Sequence, residues 1–150
     1  GRIVNDSMGG YIADSAIKQM IEAGQAPKKS KVVILGLTFK ENCPDTRNSK
    51  VNDIVKQLNT YGIEPVVVDP WASDRDAKLE YNITLTKLED VRDADCVIVA
   101  VAHREFKELG LDRIKTLFKA GEDEGKVLID VKGLYTIDEL NASGMRYWRL

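Results

Sequence analysis

Seven consecutive residues, Cys96 to Ala102 (CVIVAVA), are apolar without a single polar interruption. A run this short, lacking the apolar/polar alternation of a half-solvated strand, fits a central strand of a parallel sheet with helices on both faces. Val32–Leu35 and Val127–Val131 read the same way. Between such runs the apolar spacing turns helical: Val51, Ile54, Val55, Leu58 and Tyr61 share one stripe that Gly62 closes, and Leu111, Ile114, Leu117 and Phe118 share another. Strands alternating with helices predict an α/β chain with a doubly wound parallel sheet in three layers. Further strands are expected at Ile63–Val68, weakly at Ile83–Leu85, and at Arg146–Trp148. Helical segments are expected at Asp74–Tyr81, around Leu88 and Val91, at His103–Leu109, and at Ile137–Ala142 with Thr136 as N-cap. The GEDEG stretch at Gly121–Gly125 reads as a surface turn.

At 150 residues, 43% apolar, the chain has core enough for one globular domain. A net charge of −2 and a pI near 5.5 argue against a nucleic-acid binder, which carries a basic surface. The apolar runs are too short to cross a membrane, and Gly1–Gly24 is a polar-interrupted helical pattern rather than a signal peptide. Cys43 and Cys96 make neither a metal-site spacing nor a disulfide framework, so no metal is expected and a reducing, cytoplasmic setting is the default.

The first helix is expected from Arg2 to Ala23, closed by Gly24 and Pro27, with Met8, Tyr11, Ile12, Ala16 and Met20 on one stripe and Ile17 and Ile21 widening it. Two readings of that broad apolar face stand open. Either it packs on the sheet, or residues 1–26 are the end of a longer connecting helix and the domain proper is 27–150. The absence of a Met before Gly1 agrees with the second.

The stretch Lys31–Val51, KVVILGLTFKENCPDTRNSKV, is where a ligand is expected. Its strand stops at Gly36 and the helical pattern resumes near Ser49, leaving a polar loop at the carboxyl edge of the sheet. In open α/β sheets ligands bind at that edge, and the following helix offers its first N–H groups to an anion. The loop carries Lys40 and Arg47. It has one glycine where a dinucleotide turn needs G-x-G-x-x-G, so a ligand here is held largely by side chains.

The runs GLTFKENCPDTRNSKV, VVVDP, VAVAHREFKEL and IDVKGLY together resemble the C-terminal domain of the UDP-glucose/GDP-mannose dehydrogenase family, over essentially the whole chain. The most specific part is F-K-x4-D-x-R-x-S at Phe39, Lys40, Asp45, Arg47 and Ser49. His103 with Phe106, and Asp130 to Gly133, look closest to the branch that oxidises UDP-N-acetylhexosamines for surface polysaccharides. The resemblance implies a Rossmann-like domain that closes over a UDP-sugar in a homodimeric, NAD-dependent 6-dehydrogenase. Such enzymes oxidise the C6 alcohol to a carboxylate with two NAD in succession, through a thiohemiacetal on a cysteine. It also implies that the first helix is the end of a long connecting helix. The family's glycine-rich fingerprint and G-G-S-C-type cysteine motif do not occur in these 150 residues, so this chain is expected to bind and not to react; no catalytic residue is assigned to it.

The resemblance gives Phe39, Lys40 and Lys132 to the nucleotide sugar and Arg47 to the NAD pyrophosphate, a task that suits a planar bidentate donor. Asp45 is expected to orient Arg47 or cap the loop. Asp69 stands where a ribose-binding acid sits in a Rossmann site, but Pro70 after it and the missing fingerprint favour a turn role. His103, the only histidine, ends the central strand; capping or rim packing is favoured over general base catalysis. Cys43 reads as an incidental thiol and Cys96 as core. A freestanding nucleotide-binding or regulatory module is the alternative function.

Overall fold

The computed structural model describes residues 8–150. Five strands, β1 (Val32–Leu35), β2 (Val66–Val68), β3 (Cys96–Val99), β4 (Val127–Asp130) and β5 (Arg146–Arg149), form one sheet in the order β2-β1-β3-β4-β5, every pair parallel. The helices are α1 (Met8–Glu22), α2 (Val51–Thr60), α3 (Asp74–Tyr81), α4 (Arg104–Lys115) and α5 (Ile137–Ser143). This is the doubly wound, three-layer arrangement expected from the unbroken apolar runs.

The two-residue repeat of a strand splits those runs between two cores. Val32, Ile34, Val67, Cys96, Ile98, Val127 and Ile129 face α1, α2 and α3. Val33, Leu35, Val68, Val97, Val99 and Leu128 face α4 and α5, where Phe106, Ile114 and Leu140 are fully buried. The three central strands β1, β3 and β4 are thus buried on both sides, which is why their sequences do not alternate, whereas the edge strand β5 (RYWR) is not buried.

The apolar face of α1 is covered by this chain's own sheet. Ile12, Ala13, Ala16, Ile17 and Met20 are buried there, and a Cβ on Gly9 would lie 2.5 Å from Asp53 Cβ, so α1 and α2 touch nearly backbone to backbone. Tyr11 and Ile21, expected in the stripe, are instead 54% and 57% exposed. Residues 2–7 of the expected helix lie outside the described residues.

Two expectations need correction. The second strand is only Val66–Val68, because Pro65 has no N–H for the ladder, and Ile63 instead donates its N–H to Leu58 O to close α2. Ile83–Leu85 is no strand: Leu85 makes a single bridge to Val67. The two helices expected at His103–Leu109 and Leu111–Phe118 are both present as the two halves of α4, separated at Gly110, whose φ of 72° and ψ of 163° are not helical; the second half ends at Lys115.

Candidate functional site

The loop after β1 leaves the sheet through a contact that only glycine permits. Gly36 has φ 109°, and a Cβ there would stand 2.5 Å from Val101 Cβ and 2.9 Å from Val101 N, on the neighbouring strand's exit. Leu37 and Thr38, still buried, then donate their N–H groups to Asp69 Oδ2 at 2.6 and 3.0 Å. Asp69 sits past the end of β2 and is itself buried. Its Oδ1 accepts the N–H groups of Trp71 and Ala72 at 2.7 and 3.1 Å, so the turn role is borne out and far exceeded. Burial raises the Asp69 carboxyl, but hydrogen bonds from His103 and from the Leu37 and Thr38 N–H groups outweigh it and hold its pKa below the usual value.

His103 completes this cluster from the end of β3. Its ring is fully buried, with Nε2 2.9 Å from Asp69 Oδ2 and 3.2 Å from Thr38 Oγ1, and Nδ1 accepting the Asn42 N–H at 2.9 Å. Trp71 stacks on it at 6.1 Å between centroids and Phe106 tilts against it at 5.6 Å. It occupies the N-cap position of α4 without capping through its side chain. Asn42 does that work, its Oδ1 accepting the Arg104 N–H at 2.8 Å. The expectation of rim packing is therefore corrected: His103 is interior.

The far side of the loop is held by α3. Tyr81 donates its hydroxyl proton to Thr46 O and accepts the Ser49 N–H at 3.0 Å, while Thr46 Oγ1 donates to Glu80 at 2.8 Å. Ser49 Oγ donates to Leu37 O and accepts the Val51 N–H, the first of α2, at 3.2 Å from a position just before the N-cap Lys50. Part of the helix N-terminus expected to greet an anion is thus satisfied by the chain itself.

What the frame displays is Phe39, 54% exposed, beside exposed Lys40 and Arg47. The Arg47 side chain is 78% exposed, and Asp45 grips it in the expected way: Oδ1 accepts Nε–H at 3.0 Å and the Arg47 backbone N–H at 2.9 Å, and Oδ2 accepts from Nη2 at 3.2 Å. The pairing lowers the Asp45 pKa. Among the described residues the guanidinium's remaining N–H groups have no hydrogen-bond partner.

Lys132 is exposed at the same edge after β4, two strands from β1, or about 10 Å at ordinary strand spacing. Asp130, fully buried, shapes its turn by accepting the N–H groups of Leu134 and Tyr135 at 2.9 and 3.0 Å. A cavity of about 360 Å³ lies there, lined by Lys132 together with Lys50 at the end of the Arg47 loop, and by Met8, Ile12, Val51 and Leu150. Lys132 therefore adjoins the far end of that loop rather than Lys40. Both cysteines are free; Cys43 is half-buried, and burial pushes the Cys96 thiol well above its usual value. Among the described residues no cluster of His, Cys, Asp and Glu could hold a metal, and no helix is long and apolar enough to cross a membrane.

A family model described as the UDP binding domain of the UDP-glucose/GDP-mannose dehydrogenase family matches residues 33–137. The chain belongs to that family. It is 45% identical over 139 residues to UDP-N-acetyl-D-glucosamine 6-dehydrogenase of Pseudomonas aeruginosa, a match covering 93% of this chain and 32% of that protein. It is 39% identical over 150 residues to protein CapL of Staphylococcus aureus, covering 100% of this chain and 34% of the other. Among solved structures, NDP-N-acetyl-D-galactosaminuronic acid dehydrogenase of Methanosarcina mazei Go1 superposes with a TM-score of 0.85 at 25% identity, over 99% of this chain and 30% of that one. The chain spans about a third of the length of these relatives.

Within this family domain, the motif residues Phe39, Lys40 and Arg47 share one loop, as expected. The residues that fix the loop, Thr38, Asn42, Glu80 and Tyr81, went unread in the sequence. Asn42 alone carried a signal, since asparagine tolerates the positive φ it adopts here, 54°.

Proposed function

We propose that this chain is the UDP-sugar-binding part of an NAD-dependent UDP-sugar 6-dehydrogenase, acting on a UDP-N-acetylhexosamine to supply a uronic acid for surface polysaccharide. The observation that carries this is an exposed Phe-Lys pair and an exposed Arg on one braced loop, at the carboxyl edge of a family UDP binding domain. The name of the Pseudomonas aeruginosa relative supports the substrate class. Phe39 offers a flat apolar surface, Lys40 a point charge for phosphate or sugar hydroxyl, and Lys132 a second charge from the neighbouring turn. Arg47, aimed by Asp45, presents a fork for the NAD pyrophosphate. NAD supplies the hydride acceptor when bound; this chain's residues bind and orient. We assign them no chemical step: His103, Asp69 and Cys96 are buried, and among the described residues Cys43 has no hydrogen-bonded base. We place the whole enzyme in the cytoplasm as a homodimer, with residues 1–26 as the end of its connecting helix and 27–150 as the binding domain.

Two measurements test the reading. The isolated chain should bind UDP weakly, near millimolar or about −4 kcal/mol, with resonances of Phe39–Ser49 moving. In the full-length enzyme Arg47→Ala should raise the apparent NAD constant about ten- to a hundredfold, the worth of a charge-assisted bond, and leave the UDP-sugar constant nearly unchanged. A rise confined to the UDP-sugar constant would put Arg47 on the other ligand. NADH production by the chain alone would overturn the division between binding and reacting parts.

A further inference from the structure

The tip of the ligand loop, Phe39 to Asp45, is closed on itself. Phe39 donates its N–H to Asp45 O at 2.8 Å, and Thr38 Oγ1 donates to Lys40 O at 3.0 Å. Beyond the loop, hydrogen bonds among the described residues tie this tip to the body of the domain at one residue, Asn42. Its N–H donates to His103 Nδ1 and its Oδ1 accepts from the Arg104 N–H, 61 and 62 residues away. We propose that His103 is the positioning residue of the ligand loop, setting where Phe39, Lys40 and Arg47 stand by way of Asn42 without touching ligand itself. The proposal rests on the reading of this loop as the UDP-sugar site.

The chemistry allows one arrangement. A backbone N–H can only donate, so Nδ1 facing Asn42 must present its lone pair, and the ring proton sits on Nε2. There it meets Asp69 Oδ2 at 2.9 Å, an oxygen that already accepts from Leu37 and Thr38 at the root of the same loop. The Nε2–H tautomer thus links root and tip: Asp69 holds the root directly and holds His103 in the orientation that receives the tip. Trp71 and Phe106 wall the ring, and no surface of it is open to a ligand.

Two variants of the 150-residue chain separate the two ends of the ring. In His103→Asn the side-chain oxygen stands near the position of Nδ1 and can accept the Asn42 N–H, but the side chain is too short for Asp69. In His103→Gln the amide reaches Asp69 and leaves nothing at Nδ1. Both lose the ring, so the packing loss is shared. Amide hydrogen exchange at Phe39 and Asn42 without ligand, and UDP titration, should both single out the Gln variant. We expect protection and affinity to fall about tenfold there, the worth of one hydrogen bond, and to stay within about threefold of each other in the parent and the Asn variant. Equal losses in both variants would reduce His103 to packing, and unchanged protection in the Gln variant would remove the link altogether. If both variants unfold, nitrogen chemical shifts of His103 in the unchanged chain decide: a protonated Nδ1 with a bare Nε2 overturns the proposal, and the reverse upholds it. Should the parent bind no UDP, the functional reading of the loop fails, while the exchange comparison still decides the role of His103.

Discussion

Replacing Asp69 with asparagine tests the frame of the site most directly. The carboxylate accepts five hydrogen bonds in the interior: Oδ2 from Leu37, Thr38 and His103, and Oδ1 from Trp71 and Ala72. Asparagine has one oxygen. However the amide turns, its NH2 faces at least two of these donors: Trp71 and Ala72 where it replaces Oδ1, or Leu37, Thr38 and His103 where it replaces Oδ2. A buried donor stripped of its acceptor costs about 1–3 kcal/mol, so two cost about 2–6 kcal/mol, and a value near 4 is a large share of the roughly 5–15 kcal/mol that holds such a domain folded. The charge adds a pH signature. Burial raises the folded-state pKa of Asp69, and the hydrogen bonds from His103, Leu37 and Thr38 more than reverse it, so the folded value lies below the unfolded one near 3.9. Between the two values the unfolded chain binds more protons, and stability rises with pH. The contribution is fully present above the unfolded pKa and fades as pH falls through the folded value. Urea unfolding of parent and Asp69→Asn should therefore show a gap of about 4 kcal/mol at pH 7 that narrows as the pH is taken below about 4. A gap under about 1 kcal/mol at pH 7, or one that widens in acid, would refute the account.

Gly36→Ala should cost at least about 3 kcal/mol in the same assay, because a positive φ penalises any Cβ by about 1–2 kcal/mol and this one also meets the Val101 backbone. Met20→Ala should cost about 2–5 kcal/mol, since the side chain is fully buried between α1 and the sheet, whereas Ile21→Ala beside it should stay near 0.5 kcal/mol. Equal costs at the two positions would mean that α1 is not docked as described. Ser49→Ala should lose about 1–2 kcal/mol, as the acceptor of the first α2 N–H and a buried partner of Leu37 O go together; an unchanged urea midpoint would show that neither bond contributes.

The central strands β1, β3 and β4 were legible because burial on both faces leaves no alternation to misread, and β3 and β4 fall where CVIV and VLID stand. The start of α5 was legible from Thr136, which caps it and is capped in return by Glu139. Periodicity overextended β2, since apolar residues on either side of Pro65 look continuous to a count that ignores the missing N–H. It also placed Tyr11 and Ile21 in the core, because a stripe read at helical spacing carries no information on how wide a face the sheet can cover. The motif marked Phe39, Lys40 and Arg47 as the display. What holds them was hidden by distance along the chain: Tyr81 grips Ser49 from 32 residues away, and Asn42 meets His103 from 61. His103 looked like a rim residue because a strand end does not reveal whether its side chain turns outward or, as here, inward between Trp71 and Phe106.

The strand order β2-β1-β3-β4-β5 reverses between β1 and β3, and folds of this order admit a ligand in the crevice that opens there. Here the chain fills that crevice itself. Gly36 closes against Val101, and Asp69 with His103 occupies the space behind the loop roots. On the proposed reading, a ligand at this edge stands farther out, within reach of the long side chains of Lys40, Arg47 and Lys132 rather than of a glycine turn. The same edge sorts its charges. Asp69 and Asp130 are buried and their oxygens are spent on backbone N–H groups of the loops they shape, while the lysines and the arginine project from those loops into solvent. An anion approaching the carboxyl edge meets exposed Lys40, Arg47 and Lys132, while Asp69 and Asp130 are turned inward and the acids of the Arg47 loop are Glu41 and the Arg47-paired Asp45, so a chain of net charge −2 can still offer three cations to a diphosphate at this edge.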